Sequence, residues 1–331
     1  MKNFEGKICF ITGGAQGAGL GQAKVFSKAG MKVVIVDIRD DVLEKAAAEI
    51  VQYSGVPVSD VLALKCDITD RAQLIAAADK TEEVFGGPPH LLFQTAGVNA
   101  FGPAEASTFE DYDWVVGVNL LAVINGLVIF VPRMIKAYAG KTDCHIVNTA
   151  SMGGFGGGAG TAPYSAAKAG VISLTEAYWQ ALRPYGIGSM ALCPACINSD
   201  IWETERFRPE HLRNSGYNWT DEVQDVMREH CESGIDPVEL AERTKKAIEQ
   251  DIVICIPYPN SYELISRVHE HARNLLAPEG IAKEDAYNKY LAEHNMMPPG
   301  MDAYVLREKG PQVGFGKAKG DVEWVSEDKK A

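Results

Sequence analysis

The sequence lacks a long apolar run, a disulfide pattern and an excess of positive charge. None of its runs approaches eighteen uninterrupted apolar residues, and the first, Ile8 to Ile11, is too short for the core of a signal peptide. The seven cysteines are odd in number and scattered, which excludes a secreted disulfide framework. The net charge of -12 disfavours nucleic acids and anionic membranes as partners. These absences predict a cytoplasmic protein with reduced thiols.

The sequence does contain a repeated alternation of short apolar runs and helical segments. Its composition, 46% hydrophobic and 23% charged, is ordinary for a globular chain of 331 residues. KICFITGG stops at glycines and leads into a helical segment, and MKVVIVD and HLLFQTAG are followed in the same way. The alternation predicts an α/β fold, a single doubly wound parallel sheet of the Rossmann type with helices on both faces.

The end of the chain departs from this alternation. DIVICIP is predicted to be the last buried strand and SYELISRVHEHARNLL the last regular helix. Residues 1–276 are therefore assigned to one domain. Residues 277–331, which contain PPG and GFGKAKGD, are assigned to a C-terminal extension.

A glycine-rich loop, TGGAQGAGLG, lies directly between the first strand and the first helix. Its glycines allow the backbone to turn tightly and to approach a pyrophosphate at the positive end of the helix. A loop of this composition can also be no more than a tight turn, so its position after a strand is the stronger indication. The predicted dinucleotide-binding residues of the loop are Gly13, Gln16, Gly17 and Gly19.

Asp37 ends the second predicted strand, 18 residues after Gly19. A carboxylate there accepts hydrogen bonds from the adenosine ribose hydroxyls and repels a 2′-phosphate, which favours NAD over NADP as the cofactor. Arg39 is the counter-argument, because a guanidinium at that point could meet such a phosphate. The alternative role for Asp37 is a favourable charge at a helix N-terminus.

Residues 151–168, SMGGFGGGAGTAPYSAAK, contain a serine, a tyrosine and a lysine. Tyr164 and Lys168 leave the same face of a predicted helix about one turn apart. A fixed ammonium beside a phenol, whose reference pKa is about 10, lowers that pKa. Ser151 follows the apolar run CHIVNTA and is predicted to stand at the end of a strand, with its hydroxyl free to donate. The alternative is a tyrosine and a lysine on a helix surface, since Y-x-x-x-K is common by chance.

Cys193 and Cys196 form a C-x-x-C, which could be a redox pair or half of a metal site. No second pair or close histidine completes a tetrahedral set of ligands. His269 and His271 do not have the spacing of a helical zinc site. The sequence therefore predicts no metal.

With T-G-x-x-x-G-x-G at 12–19 and Y-x-x-x-K at 164–168, the chain resembles the short-chain dehydrogenases/reductases over roughly residues 5–257. The resemblance implies hydride transfer between the nicotinamide of NAD and a secondary alcohol or its ketone. It implies that Tyr164 is the acid/base and that Ser151 hydrogen-bonds the substrate oxygen. It further implies that Lys168 lowers the tyrosine pKa and binds the ribose, and that Asn119 positions a water linking the lysine to solvent.

Other positions resemble the cofactor contacts of the same family. Asp67, after the third strand, matches the acid near the adenine, and Ala96 and Gly97 match the pair beside the cofactor. The segment on the nicotinamide side is matched by Pro194, Ile197 and Ser199.

Two departures from the family pattern stand out. Gln94 and Thr95 replace two asparagines, and Ala195 replaces a glycine, which narrows the backbone conformations near the nicotinamide. Neither departure removes a catalytic group.

Residues 198–233 follow a strand at the carboxyl edge of the sheet and are predicted to form a lid over the substrate. The lid is aromatic, which indicates a bulky, aromatic or otherwise apolar secondary alcohol; alternatively these rings only pack the lid down. The lid aromatics are Trp202, Phe207, Tyr217 and Trp219, and the predicted pocket residues are Phe101, Met152, Phe155 and Trp202.

AGVNAFGP, RFRPE and IPYP are similar to segments of the NAD-dependent Cα-dehydrogenases of sphingomonad bacteria, which oxidise the benzylic alcohol of lignin-type β-aryl ethers. A steroid or another bulky alcohol would suit the same lid. Two rivals are a dinucleotide-binding sensor or scaffold, and a dehydratase or epimerase with no net change in NADH. The resemblance also implies a homodimer or homotetramer, formed through the predicted helices at 111–139 and 163–183.

Overall fold

The computed structural model describes residues 1–213, 217 and 220–258. The predicted helix at 261–276, the predicted extension at 277–331, Trp219, and the pair His269 and His271 lie outside the described residues. Within those ranges, strands and helices alternate along the chain as the apolar runs predict.

Among the described residues, seven strands form one parallel sheet in the order β3-β2-β1-β4-β5-β6-β7. The strand order reverses between β1 and β4, and in such sheets the crevice at that point binds ligands. The predicted doubly wound α/β fold is confirmed. The strands are β1 Ile8–Thr12, β2 Lys32–Asp37, β3 Val61–Lys65, β4 Leu91–Gln94, β5 Cys144–Thr149, β6 Ile187–Leu192 and β7 Ile254–Cys255.

Helices cover both faces of the sheet. Consecutive strand residues point to opposite faces, so Ile11 packs with Phe26 and Leu240 in one apolar cluster while Phe10 packs with Phe130 in another. Burial on both faces explains why the strands read as continuous apolar runs. The α-helices of the described residues are α1 Gly17–Lys28, α2 Asp40–Ser54, α3 Arg71–Phe85, α4 Phe109–Val116, α5 Ala122–Tyr138, α6 Ala162–Leu182, α7 Asp221–Glu232 and α8 Pro237–Glu249.

The long apolar segment after β4 contains Pro132, a residue type that usually ends or kinks a helix, yet α5 continues through it to Tyr138. The irregular point is instead a π-helical turn at Gly117–Leu121 between α4 and α5. By length and composition alone Phe109–Tyr138 could cross a membrane, yet half of its apolar window is buried inside the fold, as in the core helix of a globular protein.

One histidine in the centre of the sheet has no polar partner. His145 in β5 is fully buried, and neither of its ring nitrogens has a hydrogen-bond partner among the described residues. Its neighbour across the sheet is Gly188 of β6, where a β-carbon would overlap the imidazole ring. Burial lowers the pKa of His145 to about 3, because the charged ring cannot be solvated there.

His145 therefore contributes to acid instability. It is neutral in the folded chain and protonates in the unfolded chain below about pH 6.5, so the free energy of unfolding falls by up to about 1.4 kcal/mol for each pH unit below that value until pH approaches the folded pKa. We expect His145→Leu to remove this slope, measured by urea unfolding at pH 7 and pH 5. The exposed His211→Leu should keep it. An unchanged slope in His145→Leu would contradict the prediction.

Candidate active site

The carboxyl ends of the first six strands open into one cavity of about 760 Å³. Parallel strands place these ends on the same edge of the sheet, so residues distant in sequence meet there. All but three of the predicted site residues line this cavity. They are Gly13, Gln16, Gly17, Gly19, Asp37, Asp67, Ala96, Gly97, Phe101, Ser151, Met152, Tyr164, Lys168, Pro194, Ile197 and Ser199; the exceptions are Asn119, Phe155 and Trp202.

The loop after β1 is packed so closely that glycine is required at two positions. Gly13 has a positive φ of 64°, and a β-carbon there would lie 2.8 Å from the Cα of Ala96. A β-carbon at Gly19 would overlap the carbonyl oxygen of Gly13. The loop can therefore curl tightly at the start of α1, where the free N–H groups and the helix dipole favour an anion.

The adenosine end of the cavity is defined by Asp37 and Arg39. The carboxylate of Asp37 accepts a hydrogen bond from the backbone N–H of Arg39 at 3.1 Å, and the Arg39 Nε lies 3.5 Å from the same oxygen. The other neighbour of the guanidinium is the ring of Phe207, whose centre is 5.3 Å away. Because Arg39 already has an acidic and an aromatic partner, a phosphate would have to compete with both.

The serine, tyrosine and lysine come together at the other end of the cavity. Ser151, directly after β5 and Ala150, accepts a hydrogen bond from Gly153 N–H at 3.1 Å and lines the cavity together with Tyr164. The buried Lys168 Nζ donates to the carbonyl of Thr149 at 2.8 Å and lies 5.7 Å from the centre of the Tyr164 ring. The turn of helix between Tyr164 and Lys168 places both side chains beside the strand end that carries Ser151.

Burial controls the electrostatics of this group. It raises the pKa of the Tyr164 hydroxyl, against the opposing effect of the hydrogen bond from Ser151. It also lowers the pKa of Lys168 to about 8, so the side chain is still mostly an ammonium at neutral pH. Lys168 was expected to lower the tyrosine pKa; in the structure the larger influence on Tyr164 is burial, which acts in the opposite direction.

Asn119 lies in the π-helical turn at Gly117–Leu121, and such turns are frequent at functional sites. Its side chain pairs with the backbone of Val98, accepting from N–H at 2.9 Å and donating to C=O at 2.8 Å. A β-carbon on Gly97 would lie 2.9 Å from the Asn119 side-chain oxygen. Asn119 thus fixes the loop that follows β4.

Gln94 and Thr95, which replace the family's two asparagines, both form side-chain hydrogen bonds. Thr95 donates from its hydroxyl to Gln22 at 2.7 Å and accepts from the Thr149 hydroxyl at 3.2 Å. Gln94 donates to the side chain of Asn148 at 2.8 Å. Thr95 therefore joins α1 to β5, and the departure leaves the centre of the sheet hydrogen-bonded.

The predicted lid contains two short runs of 3-10 turns, Asp200–Phe207 and Glu210–Leu212, followed by α7. Two predicted pocket residues do not line the cavity. Phe155 packs against the apolar cluster beneath α6, and Trp202 has its ring 5.9 Å from the guanidinium of Arg228. Aromatic character predicts both residues to line a pocket, but it does not indicate the direction in which a side chain points.

Several cavity residues were not predicted. They come mainly from α4 and from the lid, and they include Asn99, Trp114, Thr204, Leu212 and Cys231. No local motif marks them, because α4 reaches the cavity only through the packing of distant segments. The aromatic character of the lid was the one available signal, and it identified the correct segment.

The two cysteines of the C-x-x-C lie in different environments. Cys193 is buried at the end of β6 and donates weakly to the carbonyl of Ala191 at 3.7 Å, while Cys196 lines the cavity. Across residues 1–213, 217 and 220–258, no group of three or more histidine, cysteine or acidic side chains could hold a metal ion.

A cavity with a glycine-rich loop at one end and a serine, a tyrosine and a lysine at the other is typical of a dehydrogenase. Comparison with known families agrees with this class. Residues 7–209, more than half of the chain, match the family described as short chain dehydrogenase, and the chain belongs to that family. It is therefore an oxidoreductase, and the predicted resemblance is confirmed.

One relative and two solved structures are similar to most of the chain. The chain is 46% identical over 314 residues to a C alpha-dehydrogenase of Sphingobium sp. strain SYK-6, a match covering 95% of this chain and 100% of the relative. It resembles the apo form of LigD from the same strain with a TM-score of 0.68 and 41% identity, over 83% of this chain and 99% of LigD. A short-chain dehydrogenase/reductase from Burkholderia phymatum in complex with NAD gives a TM-score of 0.77 at 32% identity, over 84% and 98% of the two chains.

The glycine loop can be tested without measuring turnover. We expect Gly19→Ala to weaken NADH binding at least tenfold, because the added methyl group collides with the Gly13 carbonyl. The measurement is a fluorescence titration with NADH. Gly157→Ala is the matched control, since its nearest neighbour would be the Ser165 side chain at 3.9 Å. Equal affinities for the two variants would exclude this loop from cofactor binding.

Proposed function

We propose that this chain is an NAD-dependent dehydrogenase that interconverts a bulky aromatic secondary alcohol and its ketone, with Tyr164 as the acid/base. The observation that carries the proposal is the position of Ser151, Tyr164 and Lys168 in the cavity that also contains the glycine loop. A proton-transfer group and a dinucleotide site in one cavity are the two components that hydride transfer at a carbinol carbon needs.

The residues fit a dinucleotide. The tight cradle at Gly13 and Gly19 admits a pyrophosphate where a side chain would block it. Asp37 would bind the adenosine ribose hydroxyls, and its carboxylate, together with an already paired Arg39, supports NAD over NADP. When bound, NAD supplies the hydride acceptor. The other proposed contacts are Gln16, Gly17, Asp67, Ala96, Gly97, Pro194, Ile197 and Ser199.

The catalytic roles follow from the hydrogen bonds. Ser151 and Tyr164 line the same part of the cavity, so a substrate oxygen beside them would meet both hydroxyls. Tyr164 takes the proton of the alcohol in oxidation and returns it in reduction. Lys168 keeps an ammonium beside the phenol ring, oriented by the Thr149 carbonyl, and so favours the tyrosinate when it forms.

The walls around Tyr164 support an aromatic substrate. The Phe101 ring stands edge-on to Tyr164 with the ring centres 5.7 Å apart, and Met152, Trp114 and Leu212 add apolar surface to the same cavity. Such surfaces bind flat apolar groups, with a few polar atoms fixing the orientation. The 46% identity to a C alpha-dehydrogenase along almost all of the chain supports an aryl carbinol over a steroid.

We further propose that the chain forms a homodimer or homotetramer through the segment of α4 and α5. This segment exposes apolar side chains that a monomer would leave in water: Phe109 is 87% exposed, and Leu121 and Val128 are also exposed. Several large apolar side chains exposed along one helical segment are typical of a protein interface.

The acid/base assignment predicts the effect of removing one oxygen atom. Tyr164→Phe should abolish NAD reduction with an aryl carbinol while leaving NADH affinity within about twofold, because the phenol exchanges the proton and the ring is retained. The measurements are absorbance at the NADH band and a fluorescence titration. Retained turnover in this variant would refute the role. Substrate consumption without net NADH change in the wild type would instead indicate a dehydratase or epimerase.

The direction of the Tyr164 pKa shift predicts opposite pH profiles for the two directions of reaction. Oxidation needs the tyrosinate, whose population at neutral pH is reduced because burial raises the pKa. Therefore kcat/KM for alcohol oxidation should rise by up to about tenfold per pH unit from pH 6. Ketone reduction needs the phenol and should stay level before falling in the alkaline range. A level oxidation profile, measured in parallel with reduction, would contradict the assignment.

A further inference from the structure

The lid is attached to the body of the protein by a buried ion pair. Arg208 follows the 3-10 turns at Asp200–Phe207, and its side chain is 3% exposed, against 0% for its partner Asp111. Arg208 Nη1 donates to Asp111 Oδ1 at 2.6 Å, while Nε and Nη2 donate to the two carboxylate oxygens of Glu205 at 2.7 and 2.6 Å. Charges taken out of water need such complete pairing, so Arg208 is confined to one orientation.

The two carboxylate oxygens of Asp111 have different hydrogen-bond partners. Its second oxygen accepts hydrogen bonds from the backbone N–H of Thr108 at 2.8 Å and from the Thr108 hydroxyl at 3.1 Å, which caps the N-terminus of α4. One carboxylate therefore starts α4 and anchors the lid. Any movement of the Arg208 guanidinium relative to Asp111 changes how the lid meets this helix.

The ion pair contacts one residue of the cavity wall, Trp114. The guanidinium carbon of Arg208 lies 4.5 Å from the centre of the Trp114 ring, and Trp114 in α4 lines the cavity. Pro209 and Leu212, which follow Arg208 in the chain, line it as well. Arg208 itself is not part of the cavity wall. Its guanidinium lies behind the wall, where it stacks on the Trp114 ring and also anchors the lid through Asp111.

A second attachment holds the other part of the lid. The Thr204 hydroxyl accepts from the backbone N–H of Asn99 at 2.8 Å and donates to the carbonyl of the same residue at 2.9 Å. This contact fixes the 3-10 turns in place independently of Arg208. Loss of the ion pair should therefore loosen the segment from Pro209 onward and leave the first part of the lid attached.

We propose that Arg208 is a positioning residue for substrate size: its buried pairing with Asp111 holds Trp114, Pro209 and Leu212 as a fixed apolar wall that only a bulky substrate contacts. The inference rests on the proposed function as a dehydrogenase of bulky alcohols. A small alcohol needs only Ser151 and Tyr164, so it gains nothing from this wall. Arg208 therefore affects binding of the large substrate and not the chemical step.

The test compares KM values across substrates. In Arg208→Met and Arg208→Lys, KM for a bulky aryl carbinol should rise about tenfold or more, with a smaller rise in the lysine variant, which keeps the charge but not the forked geometry. KM for propan-2-ol and for NAD should stay within about twofold of wild type. A parallel rise for all three, a fall in kcat alone, or a failure of both variants to fold would overturn the proposal and leave Arg208 a structural residue.

The matched control is Arg228→Met. Arg228 also lies in the lid region, pairs with an acidic side chain three residues earlier (Asp225, 3.0 Å) and faces a tryptophan ring, but its ion pair is exposed and Trp202 does not line the cavity. Its KM values should equal those of wild type. A tenfold rise in this control would show that any change in the lid has the same effect, and would also overturn the proposal.

Acrylamide quenching separates this inference from the proposed function. The signal of Trp114 is taken as the difference between each protein and its Trp114→Phe counterpart, and it should be quenched more readily in Arg208→Lys than in wild type or Arg228→Met. If wild type fails to oxidise any aryl carbinol, the proposed function is wrong while this readout still reports on the wall. Equal quenching in all three proteins would overturn the role of Arg208.

Discussion

The parallel arrangement of the strands is the constraint on which the rest of the structure depends. Every carboxyl end lies on one edge of the sheet, and the reversal of strand order between β1 and β4 opens that edge into a cavity. The glycine loop, Asp37, Asp67 and Ser151 each follow a different strand, yet they share one wall. An antiparallel sheet of the same strands would send half of these residues to the opposite edge.

Within the cavity, the physical problem is to hold charges and polar groups away from bulk water. Lys168 is buried and remains an ammonium at neutral pH, at the cost of a lowered pKa and with one carbonyl as a fixed acceptor. The side chain of Asn119 pairs with both backbone polar groups of Val98. These contacts orient the group around Tyr164 before any ligand arrives, and such preorganisation is the usual source of electrostatic stabilisation in enzymes.

The end of the cavity beside Trp114 is built differently from the end at the glycine loop. The glycine loop is shaped by backbone contacts, which tolerate no side chain, whereas Trp114 is an apolar side chain stacked against Arg208, which pairs with Asp111. The first arrangement suits a ligand common to a whole family. The second can change its shape through a few substitutions in α4 or the lid, which suits a specific substrate.

The fold class, the family and the candidate loop, serine, tyrosine and lysine positions that line the cavity could be predicted from the sequence alone. Local patterns mark them: glycines needed for close backbone approach, strand-length apolar runs, and a tyrosine and a lysine one helical turn apart. Tertiary structure alone decided that Trp114 and Leu212 line the cavity while Phe155 and Trp202 do not, that α5 passes through Pro132, and that burial dominates the pKa of Tyr164. Each of these depends on which distant segments surround a side chain, and residue type and spacing carry no record of that.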